Sequence, residues 1–577
     1  MRAGLVVLLF AALELHAQLI PAGSPIPHST LPPVVFINGY QFEGCPTTFA
    51  DTFGIADQVL QAKGEVSLFF STCSLPASSS IEDLAWSFGN FLSGLKYTDG
   101  QPVDQVDIVA HSMGGLVLRC YLSGKQNAGG FQPPAATHVR KAVFLATPNF
   151  GTPVAAVLPA VKQVDEMASG SASLFDLATW NDATDDLRGV DAIAAAGNAG
   201  TGFLSGTAQF DDGVVPLTSA ALRFYGPGRT RVLPYCHISG GGLVSELGVC
   251  PSSASGIANI DSASHESAQI IVSFLSGTDA WQSVGTAAED DVFLSKDGGL
   301  IVAAHDANDG VLNIGSATAN SHKLSTSSDQ LAFVDMLTAG QVSLAITSGA
   351  DDVTDGVTLP AGGTEAYTAK PGPLIAGVLP AAAATFPLEL APRMLIAIYG
   401  SNLASGTVAV SGTALSVYYV SATQINAVLP GNLSGLAQLT VQTSAGKHSV
   451  NILVEAAAPA IFTLDGSGSG AAAAVDANEQ SIVTSTKPLR PGDYVELFAT
   501  GLGATSPKSG LDYAVQQPTV TVAGVDCPVS FAGAAPGFVG LDQINCVIPA
   551  GLAASASAPV VVTSGTRVSN TATLAIQ

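Results

Sequence analysis

The sequence predicts a chain in two halves: a parallel β-sheet covered by helices, followed by a series of all-β sandwich modules. Residues 31–275 alternate short apolar strands with helical patterns, which is typical of a parallel sheet with helices on its faces. Beyond about residue 285, short strands of alternating hydrophobicity are separated by Gly, Ser, Asp and Pro, as in sandwiches. The 577 residues are 47% hydrophobic and 11% charged, which indicates several folded domains rather than a disordered chain.

The first half has a clear order of strands and helices. Strands are predicted at 33–37, 106–110, 142–146 and 231–235, and helices at 81–92, 114–121 and 267–275. Residues 154–205 are long enough to form a cap or lid. Its apolar face would comprise Val164, Met167, Leu174, Phe175, Leu177 and Trp180.

The net charge limits the partners of this chain. Lys and Arg total 21 against 45 Asp and Glu, which gives a formal net charge of −24. A surface this acidic repels phosphate backbones, so we expect no nucleic-acid binding.

The first 17 residues predict export. They contain one basic residue, an apolar run from Gly4 to Leu13, and Ala17 at the expected cleavage position of a signal peptide. No later apolar stretch reaches the length of a membrane span. We therefore expect a secreted, periplasmic or cell-surface protein.

The seven cysteines become disulfide candidates in an oxidising compartment. Pairing by proximity in sequence predicts Cys45 with Cys73, Cys236 with Cys250, and Cys527 with Cys546. Cys120 is left over in an apolar helical pattern and is expected to be buried. No cysteine or histidine cluster has the spacing of a zinc site, and neither a metal nor an organic cofactor is predicted.

Residues 106–117, VDIVAHSMGGLV, predict a nucleophilic serine. An apolar strand leads directly into Ser112, and a helical pattern follows it. So tight a turn needs small residues two positions before and after the serine, where the chain has Ala110 and Gly114. The turn would present the Ser112 hydroxyl at the edge of the sheet, above a helix N-terminus.

Residues 31–275 resemble the α/β-hydrolase fold of secreted lipases and esterases. The matching motifs are VVFINGY (34–40), AHSMGG (110–115), FLATPNFGTP (144–153) and DDGVVPLTS (211–219). The resemblance implies a catalytic domain over residues 28–285, with the backbone N–H groups of Tyr40 and Met113 as oxyanion donors. Asn38 and Asn149 stand where this family often has His, and Ala110 stands where it usually has Gly.

The family order of Ser, Asp and His selects the other two members of the triad. Asp212 precedes Gly213 in the form in which this group presents its acid, with Asp211 as the alternative. His237 follows the last predicted strand and is the preferred base, because the Cys236–Cys250 loop would hold it in place. His265, at the start of the closing helix, is the alternative base, and His111 is expected to point away from the site.

The second half predicts three β modules, at 286–371, about 372–460 and 461–577, with 371–380 as a candidate linker. The segment QINAVLP (424–430) recurs as QINCVIP (543–549), which indicates two tandem immunoglobulin-like sandwiches. Residues 372–577 resemble the Solibacter-type C-terminal domain of secreted bacterial proteins. The matching motifs are IAIYGSNLA (396–404), YYVSATQINAVLP (418–430), PGDYVELFATGLGAT (491–505) and PGFVGLDQINCVIP (536–549).

Together these patterns predict a secreted serine carboxylic ester hydrolase, a lipase or esterase that acts through an acyl-enzyme on Ser112. Its partner would be an ester or lipid substrate, and the C-terminal modules would bind a cell surface or polymeric substrate. The alternative is a secreted adhesion or binding protein whose hydrolase-like domain is inactive.

Overall fold

A computed structural model describes residues 20–577, apart from 22, 42–43, 46–47, 182–186, 204, 223–226, 240–247, 350–351 and 384–388. The predicted fold class is confirmed: a mostly parallel sheet with helices precedes a series of largely antiparallel β-sheets. The predicted signal peptide, residues 1–17, lies outside the described residues.

The first half forms a seven-stranded sheet. The strands are β1 (Val34–Ile37), β2 (Ser67–Phe70), β3 (Val106–His111), β4 (Val139–Leu145), β5 (Asp191–Gly197), β6 (Thr230–Leu233) and β7 (Thr286–Ala287). Their order is β2-β1-β3-β4-β5-β6-β7, and all neighbours are parallel except β6 and β7. The carboxyl ends of β1 to β6 therefore meet at one edge of the sheet.

Helices cover both faces of this sheet. The α-helices within the described residues are α1 (Ala50–Phe53), α2 (Ala56–Gln61), α3 (Ile81–Ser93), α4 (Met113–Ser123), α5 (Lys162–Glu166), α6 (Ala172–Thr179), α7 (Leu217–Ala220) and α8 (Glu266–Leu275). Alternate residues of β1 face opposite cores: Val35 packs with α3 and α4, whereas Phe36 packs with α1, α2 and α8. The sheet is thus buried on both sides, as a parallel sheet requires.

The segment predicted as a cap or lid is built differently. Its residues 191–197 form β5, a central strand that sequence analysis missed. The apolar side chains expected to line a lid are largely buried: Val164, Met167, Leu174 and Leu177 join the core beside α3 and α4. The apolar pattern of α5 and α6 therefore reflects core packing.

The next module consists of two four-stranded sheets. Its strands are β8 (Asp297–Ala304), β9 (Ser316–Ala319), β10 (His322–Lys323), β11 (Ser325–Thr326), β12 (Ala332–Thr338), β13 (Gly340–Thr347), β14 (Val353–Leu359) and β15 (Thr364–Ala369). The sheet orders are β10-β9-β13-β14 and β11-β12-β8-β15, in which β8 and β15 are parallel. Alternate side chains of β13 are buried between the two sheets.

The third module is a sandwich of two antiparallel sheets, β16-β17-β21-β20 and β19-β18-β22-β23. Its strands are β16 (Leu374–Pro380), β17 (Leu395–Ser401), β18 (Thr407–Val410), β19 (Thr413–Ala414), β20 (Ser416–Val420), β21 (Gln424–Val428), β22 (Gly435–Thr443) and β23 (Gly446–Val454). The prediction of a linker at 371–380 is wrong, because β16 pairs along β17 at the edge of a sheet.

The fourth module is a larger sandwich with the same central pairing. Its strands are β24 (Ala460–Ile461), β25 (Ala474–Asp476), β26 (Ser481–Ile482), β27 (Tyr494–Thr500), β28 (Thr505–Lys508), β29 (Leu511–Ala514), β30 (Thr519–Val522), β31 (Val525–Asp526), β32 (Val529–Ala534), β33 (Asp542–Val547), β34 (Ser555–Ser564), β35 (Arg567–Val568) and β36 (Ala572–Ile576). The repeated segments are β21 and β33, and each pairs with the equivalent strand, β17 or β27. The internal repeat is thus a structural repeat.

The C-terminal sandwiches dock onto the first half through a cluster of arginines and glutamates. Nη2 of Arg188, in the loop before β5, lies 2.9 Å from Oε1 of Glu455. Arg567, from the last module, donates to the Arg188 carbonyl over 2.7 Å and forms ion pairs with Glu455 and Glu389. These residues, which we call the Arg188–Arg567 cluster, connect three modules of the chain.

The three predicted disulfides, Cys45–Cys73, Cys236–Cys250 and Cys527–Cys546, are present, and Cys120 is a buried free thiol. Within the described part of the chain, no helix is long and apolar enough to cross a membrane.

Candidate active site

Ser112 lies on a strained turn between β3 and α4. Its φ of 55° and ψ of −130° place a non-glycine residue in a sparsely populated region of backbone space. The Ser112 N–H donates to the Leu145 carbonyl of the neighbouring strand β4 over 2.9 Å, which holds the turn against the sheet.

Close backbone packing explains the small residues around the turn. A Cβ added to Gly114 would lie 2.6 Å from the Ile37 carbonyl oxygen. A Cβ added to Gly39 would lie 2.5 Å from the Ser112 Cβ. The end of β1 and the start of α4 therefore approach each other closely, and Ala110 is fully buried in β3 just before the turn.

Three side chains from three separate loops form one line of hydrogen bonds. Nε2 of His237 lies 2.8 Å from the Ser112 Oγ, and its Nδ1 lies 2.8 Å from Oδ2 of Asp212. All three residues are buried. The structure thus brings together Ser112, Asp212 and His237, the residues that sequence analysis preferred.

The turn after Asp212 orients its carboxylate. Oδ1 accepts the N–H groups of Val214 and Val215 over 2.9 and 2.7 Å, which leaves Oδ2 for His237. Gly213 permits the turn because its φ is +88°.

The alternative acid, Asp211, has a different environment. Its Oδ1 accepts the Gly213 N–H over 2.9 Å. Burial raises the pKa of this carboxyl, and the hydrogen bond from Ser205 opposes the rise. Asp211 thus stabilises the loop next to the site.

His237 is held on both sides. Its main-chain N–H donates to the Asp212 carbonyl over 2.9 Å, and the neighbouring Cys236 forms a disulfide with Cys250. The Cys236 main chain also exchanges hydrogen bonds with Ser255 and Ile257. The backbone at residue 237 is therefore fixed without help from the imidazole ring.

His265, the alternative base, lies at the N-terminus of α8. Its Nδ1 accepts the Ser267 N–H over 3.3 Å, and its ring stacks on Tyr235 with centroids 4.2 Å apart. Burial lowers the pKa of His265, which favours the neutral ring that such a cap requires. These contacts give His265 a structural role.

His111 contacts His237, and sequence analysis did not predict this contact. Its ring lies 4.8 Å from the His237 ring, and its Nε2 lies 3.1 Å from the His237 carbonyl oxygen. Burial, and then the nearby His237, lower the pKa of His111 well below its usual range. The neutral ring can donate from Nε2 to this carbonyl, so the expectation that His111 points away from the site is wrong.

The backbone at residues 38–40 lies beside Ser112, and Asn38 fixes it there. Oδ1 of the fully buried Asn38 accepts the Thr72 N–H over 2.8 Å, and the Thr72 hydroxyl donates to the Gly39 carbonyl over 2.9 Å. Met113, which follows Ser112, is the first residue of α4, so its N–H has no acceptor within the helix. Met113 thus adjoins the serine in the chain, and Tyr40 follows Gly39, which approaches the serine in space.

Asn149 also has a structural role. Its carbonyl accepts from Arg119 over 2.8 Å, and its N–H donates to the Ser219 carbonyl over 3.1 Å. Both asparagines that depart from the hydrolase pattern are fully buried and hydrogen-bonded. Neither substitution removes a group from the line of Ser112, His237 and Asp212.

Several solved structures are similar to this chain. Phospholipase PlaB from Legionella pneumophila has 14% sequence identity and a TM-score of 0.42, covering 59% of this chain and 93% of that chain. A propeptide form of the Bacillus licheniformis lipase BlEst2 has 14% identity and a TM-score of 0.29, covering 77% of this chain and 97% of that chain. The Bacteroides ovatus protein SGBP-B, in complex with a mixed-linkage heptasaccharide, has 14% identity and a TM-score of 0.20, covering 48% of this chain and 65% of that chain.

No protein-family model matches the chain, and no curated protein matches it. The resemblance of residues 372–577 to the Solibacter-type domain therefore stays a prediction from its motifs.

Proposed function

We propose that this protein is a serine carboxylic ester hydrolase. The observation that carries the proposal is the line of hydrogen bonds from Asp212 through His237 to Ser112, on a turn where the serine has a positive φ. A serine becomes a nucleophile when an adjacent base accepts its proton and a third group orients that base.

In this mechanism, Nε2 of His237 takes the Ser112 proton as the Oγ attacks the ester carbonyl. Asp212 stabilises the imidazolium that forms, and its bonds from Val214 and Val215 keep it oriented. The tetrahedral intermediate expels the alcohol, which takes the proton from His237. Water, deprotonated by the same ring, then attacks the acyl-enzyme carbonyl. The bond to the Ser112 Oγ breaks, the serine takes the proton back from His237, and the carboxylic acid is released.

The oxyanion would be held by the backbone N–H groups of Met113 and Tyr40. The helix N-terminus at Met113 provides a donor next to the nucleophile, and the close approach of Gly39 to Ser112 brings the backbone before Tyr40 to its other side. Asn38 and Thr72 fix the loop that follows β1, so the donors would be positioned before the substrate binds.

Export and domain limits belong to the same proposal. Residues 1–17 would be the signal peptide and 28–285 the catalytic domain, followed by modules at 286–371, 372–460 and 461–577. The three disulfides are typical of an oxidising compartment. With a net charge of −24, the substrate would be a neutral ester or lipid rather than a polyanion.

The inactive-protein alternative is not favoured. It relied on Asn38, Asn149 and Ala110, and each of them supports the turn or its surroundings.

Hydrolysis of nitrophenyl esters with acyl chains of two to sixteen carbons tests the proposal. We expect the full chain to hydrolyse at least one ester, the Ser112→Ala variant to lose about 10³-fold or more of that rate, and the exposed control Ser264→Ala to retain it. The chain length of the best ester would distinguish an esterase from a lipase. Equal rates for the wild type and Ser112→Ala would contradict the proposal.

A further inference from the structure

A cavity of about 1040 Å³ lies between three modules, outside the Ser112 site. One wall comes from Phe150 and α6 of the first half, a second from β14 and β15, and a third from β16, β17, β22 and β23 of the first sandwich. We call this the intermodule cleft. None of the three modules forms it alone.

The lining of the cleft mixes polar and apolar groups and is almost uncharged. Many of its side chains carry a hydroxyl or an amide, and among its described lining residues there is no Lys, Arg or Asp. Glu365 is the one carboxylate in that lining. A phosphate, sulfate or carboxylate ligand needs cationic partners, so this lining does not fit an anion.

Two side-chain amides lie opposite each other on the wall that the sandwich contributes. Gln438 and Asn451 are directly opposite each other on β22 and β23, and both line the cleft. A side-chain amide both donates and accepts hydrogen bonds, as does a hydroxyl group of a sugar. Neighbouring Ser449, with Thr358 and Thr368 of the second wall, adds further hydroxyl groups to the lining.

Aromatic side chains supply part of the apolar lining, beside aliphatic residues such as Leu374 and Val450. Phe175 from α6 and Tyr399 from β17 are half-buried and line two different walls. The Tyr367 hydroxyl donates its hydrogen to the Asp355 carboxylate over 2.9 Å, so this hydrogen is not available to a ligand. Aromatic faces among hydroxyl and amide groups suit a ligand that has C–H faces and many hydroxyls.

A buried histidine at the cleft contributes a donor. Nδ1 of His448 accepts the Ile375 N–H over 2.8 Å, so the neutral ring carries its hydrogen on Nε2. Burial, and then the nearby Lys370, lower the pKa of His448 to about 4, which keeps the ring neutral near pH 7. Lys370 is itself held by Asp309, with 2.5 Å between its Nζ and Oδ1.

We propose that the intermodule cleft is a binding site for a neutral carbohydrate chain. Several sugar rings fit its volume, with their hydroxyls on Gln438, Asn451 and the threonines and their C–H faces on Phe175 and Tyr399. Phe150 follows Asn149 in the loop after β4, so a bound polymer would lie against the same element that supports α4 through Arg119. The site would hold the hydrolase on a polymer, independently of ester turnover.

Native gel electrophoresis of the full chain carrying Ser112→Ala tests the proposal without interference from hydrolysis. The gels contain one neutral polysaccharide each: mixed-linkage β-glucan, xylan, glucomannan, galactomannan or starch. We expect at least one polymer to retard the protein. A chain that none of the five retards would overturn the proposal.

Two kinds of variant locate the binding. A Cβ added to Gly377, which lines the cleft, meets no atom within 4 Å, so Gly377→Trp should fill the cleft without disturbing the fold. We expect this variant to lose at least about tenfold in affinity. Gln438→Ala and Asn451→Ala should lose roughly 2- to 10-fold each, as expected for one hydrogen bond.

The matched control is Gly228→Trp, because Gly228 also has no atom within 4 Å of an added Cβ and lies outside the cleft. Circular dichroism and ester hydrolysis by the corresponding Ser112 proteins check that both tryptophan variants fold. Retardation that is unchanged in a folded Gly377→Trp protein would place the binding elsewhere and overturn the proposal. If a tryptophan variant lost ester hydrolysis but was still retarded by the polymer, the substitution would have affected the Ser112 site and not binding in the cleft.

Discussion

The two halves of the molecule place their polar residues in different ways. In the first half, Ser112 follows β3, Asp212 follows β5 and His237 follows β6, and the parallel order brings these three loops to one edge. In the sandwiches, consecutive antiparallel strands end at opposite edges, so polar residues recur along exposed faces without converging. The parallel sheet thus gathers the proposed catalytic residues from short local motifs, whereas the proposed binding cleft of the sandwiches lies between modules.

The ion-pair cluster and the cleft of the second half both depend on how the sandwiches pack against the first half. The Arg188–Arg567 cluster connects the first half to two sandwiches, and the intermodule cleft has walls from three modules. Substitutions in either half should therefore have separate effects, and the largest should come from the convergence of the three loops.

The largest effect should come from the base. We expect His237→Ala to lower kcat/KM for a nitrophenyl ester by about 10³- to 10⁶-fold, because members of such a triad act as a unit. His265→Ala should stay within about tenfold of the wild type in a folded protein, because His265 caps α8 and stacks on Tyr235. If His265→Ala were the inactive variant and His237→Ala the active one, the assignment of His237 as the base would be wrong.

A smaller loss should follow from crowding the nucleophile. Gly39→Ala places a Cβ 2.5 Å from the Ser112 Cβ, so the serine must shift from its present position beside His237. We expect kcat/KM to fall by about 10- to 10³-fold, since small displacements of reacting groups are costly. Gly228→Ala has open space around the added Cβ and should leave the rate unchanged. Full activity of Gly39→Ala would show that this contact does not position Ser112.

The sequence predicted the local parts of this arrangement and missed the non-local ones. The turn at Ser112, the turn at Asp212 and the three disulfides each depend on short segments, so their patterns are visible in the chain. The strand β5 was missed because its residues, DAIAAAG, have neither β-branched nor aromatic side chains except for Ile193. Burial at the centre of the sheet, with β4 and β6 on either side, stabilises it instead.

Contacts between distant residues could not be predicted in the same way. His111 touches His237 across 126 residues, and Arg188 approaches Arg567 across 379 residues. Nothing in the neighbourhood of these residues in the sequence specifies such partners. The sequence predicts a linker at 371–380, yet an edge strand such as β16 tolerates proline because one of its sides is unpaired.

Docking of the sandwiches is tested by the Arg188–Arg567 cluster. Arg567→Ala removes one cation from two glutamates that are largely buried, Glu389 and Glu455. We expect the stability of the docked arrangement to fall by about 1–3 kcal/mol, less than for a fully buried pair. Calorimetry should show a lower or split thermal transition, and the exposed control Lys487→Ala should not. An unchanged transition in Arg567→Ala would argue against docking through this cluster.

A pH-dependent effect of similar size concerns a carboxyl within the first half. Burial, and then the charge of Glu82, raise the pKa of Glu166 from its ordinary value of 4.5 to about 7. The folded protein therefore holds this proton more tightly than the unfolded chain, so its contribution to stability is lost as pH rises from about 4.5 to 7. Glu166→Gln should remove this decline, on the order of 1–3 kcal/mol.

Thermal unfolding measured between pH 5 and pH 8 checks this prediction. The wild type should lose more stability than Glu166→Gln over that interval, whereas the exposed control Glu289→Gln should follow the wild type. Parallel pH profiles for the wild type and Glu166→Gln would show that Glu166 does not titrate in this range.

Labelling by a fluorophosphonate probe tests the central claim most directly, because the probe reacts with activated serines and bypasses the choice of substrate. We predict one covalent adduct, located at Ser112 by peptide mass spectrometry, and none in Ser112→Ala. His237→Ala should label far more slowly, since the Ser112 Oγ would lose the base that lies 2.8 Å away. A probe that left the wild-type Ser112 unmodified, or labelled Ser112→Ala equally, would contradict the assignment of Ser112 as the nucleophile.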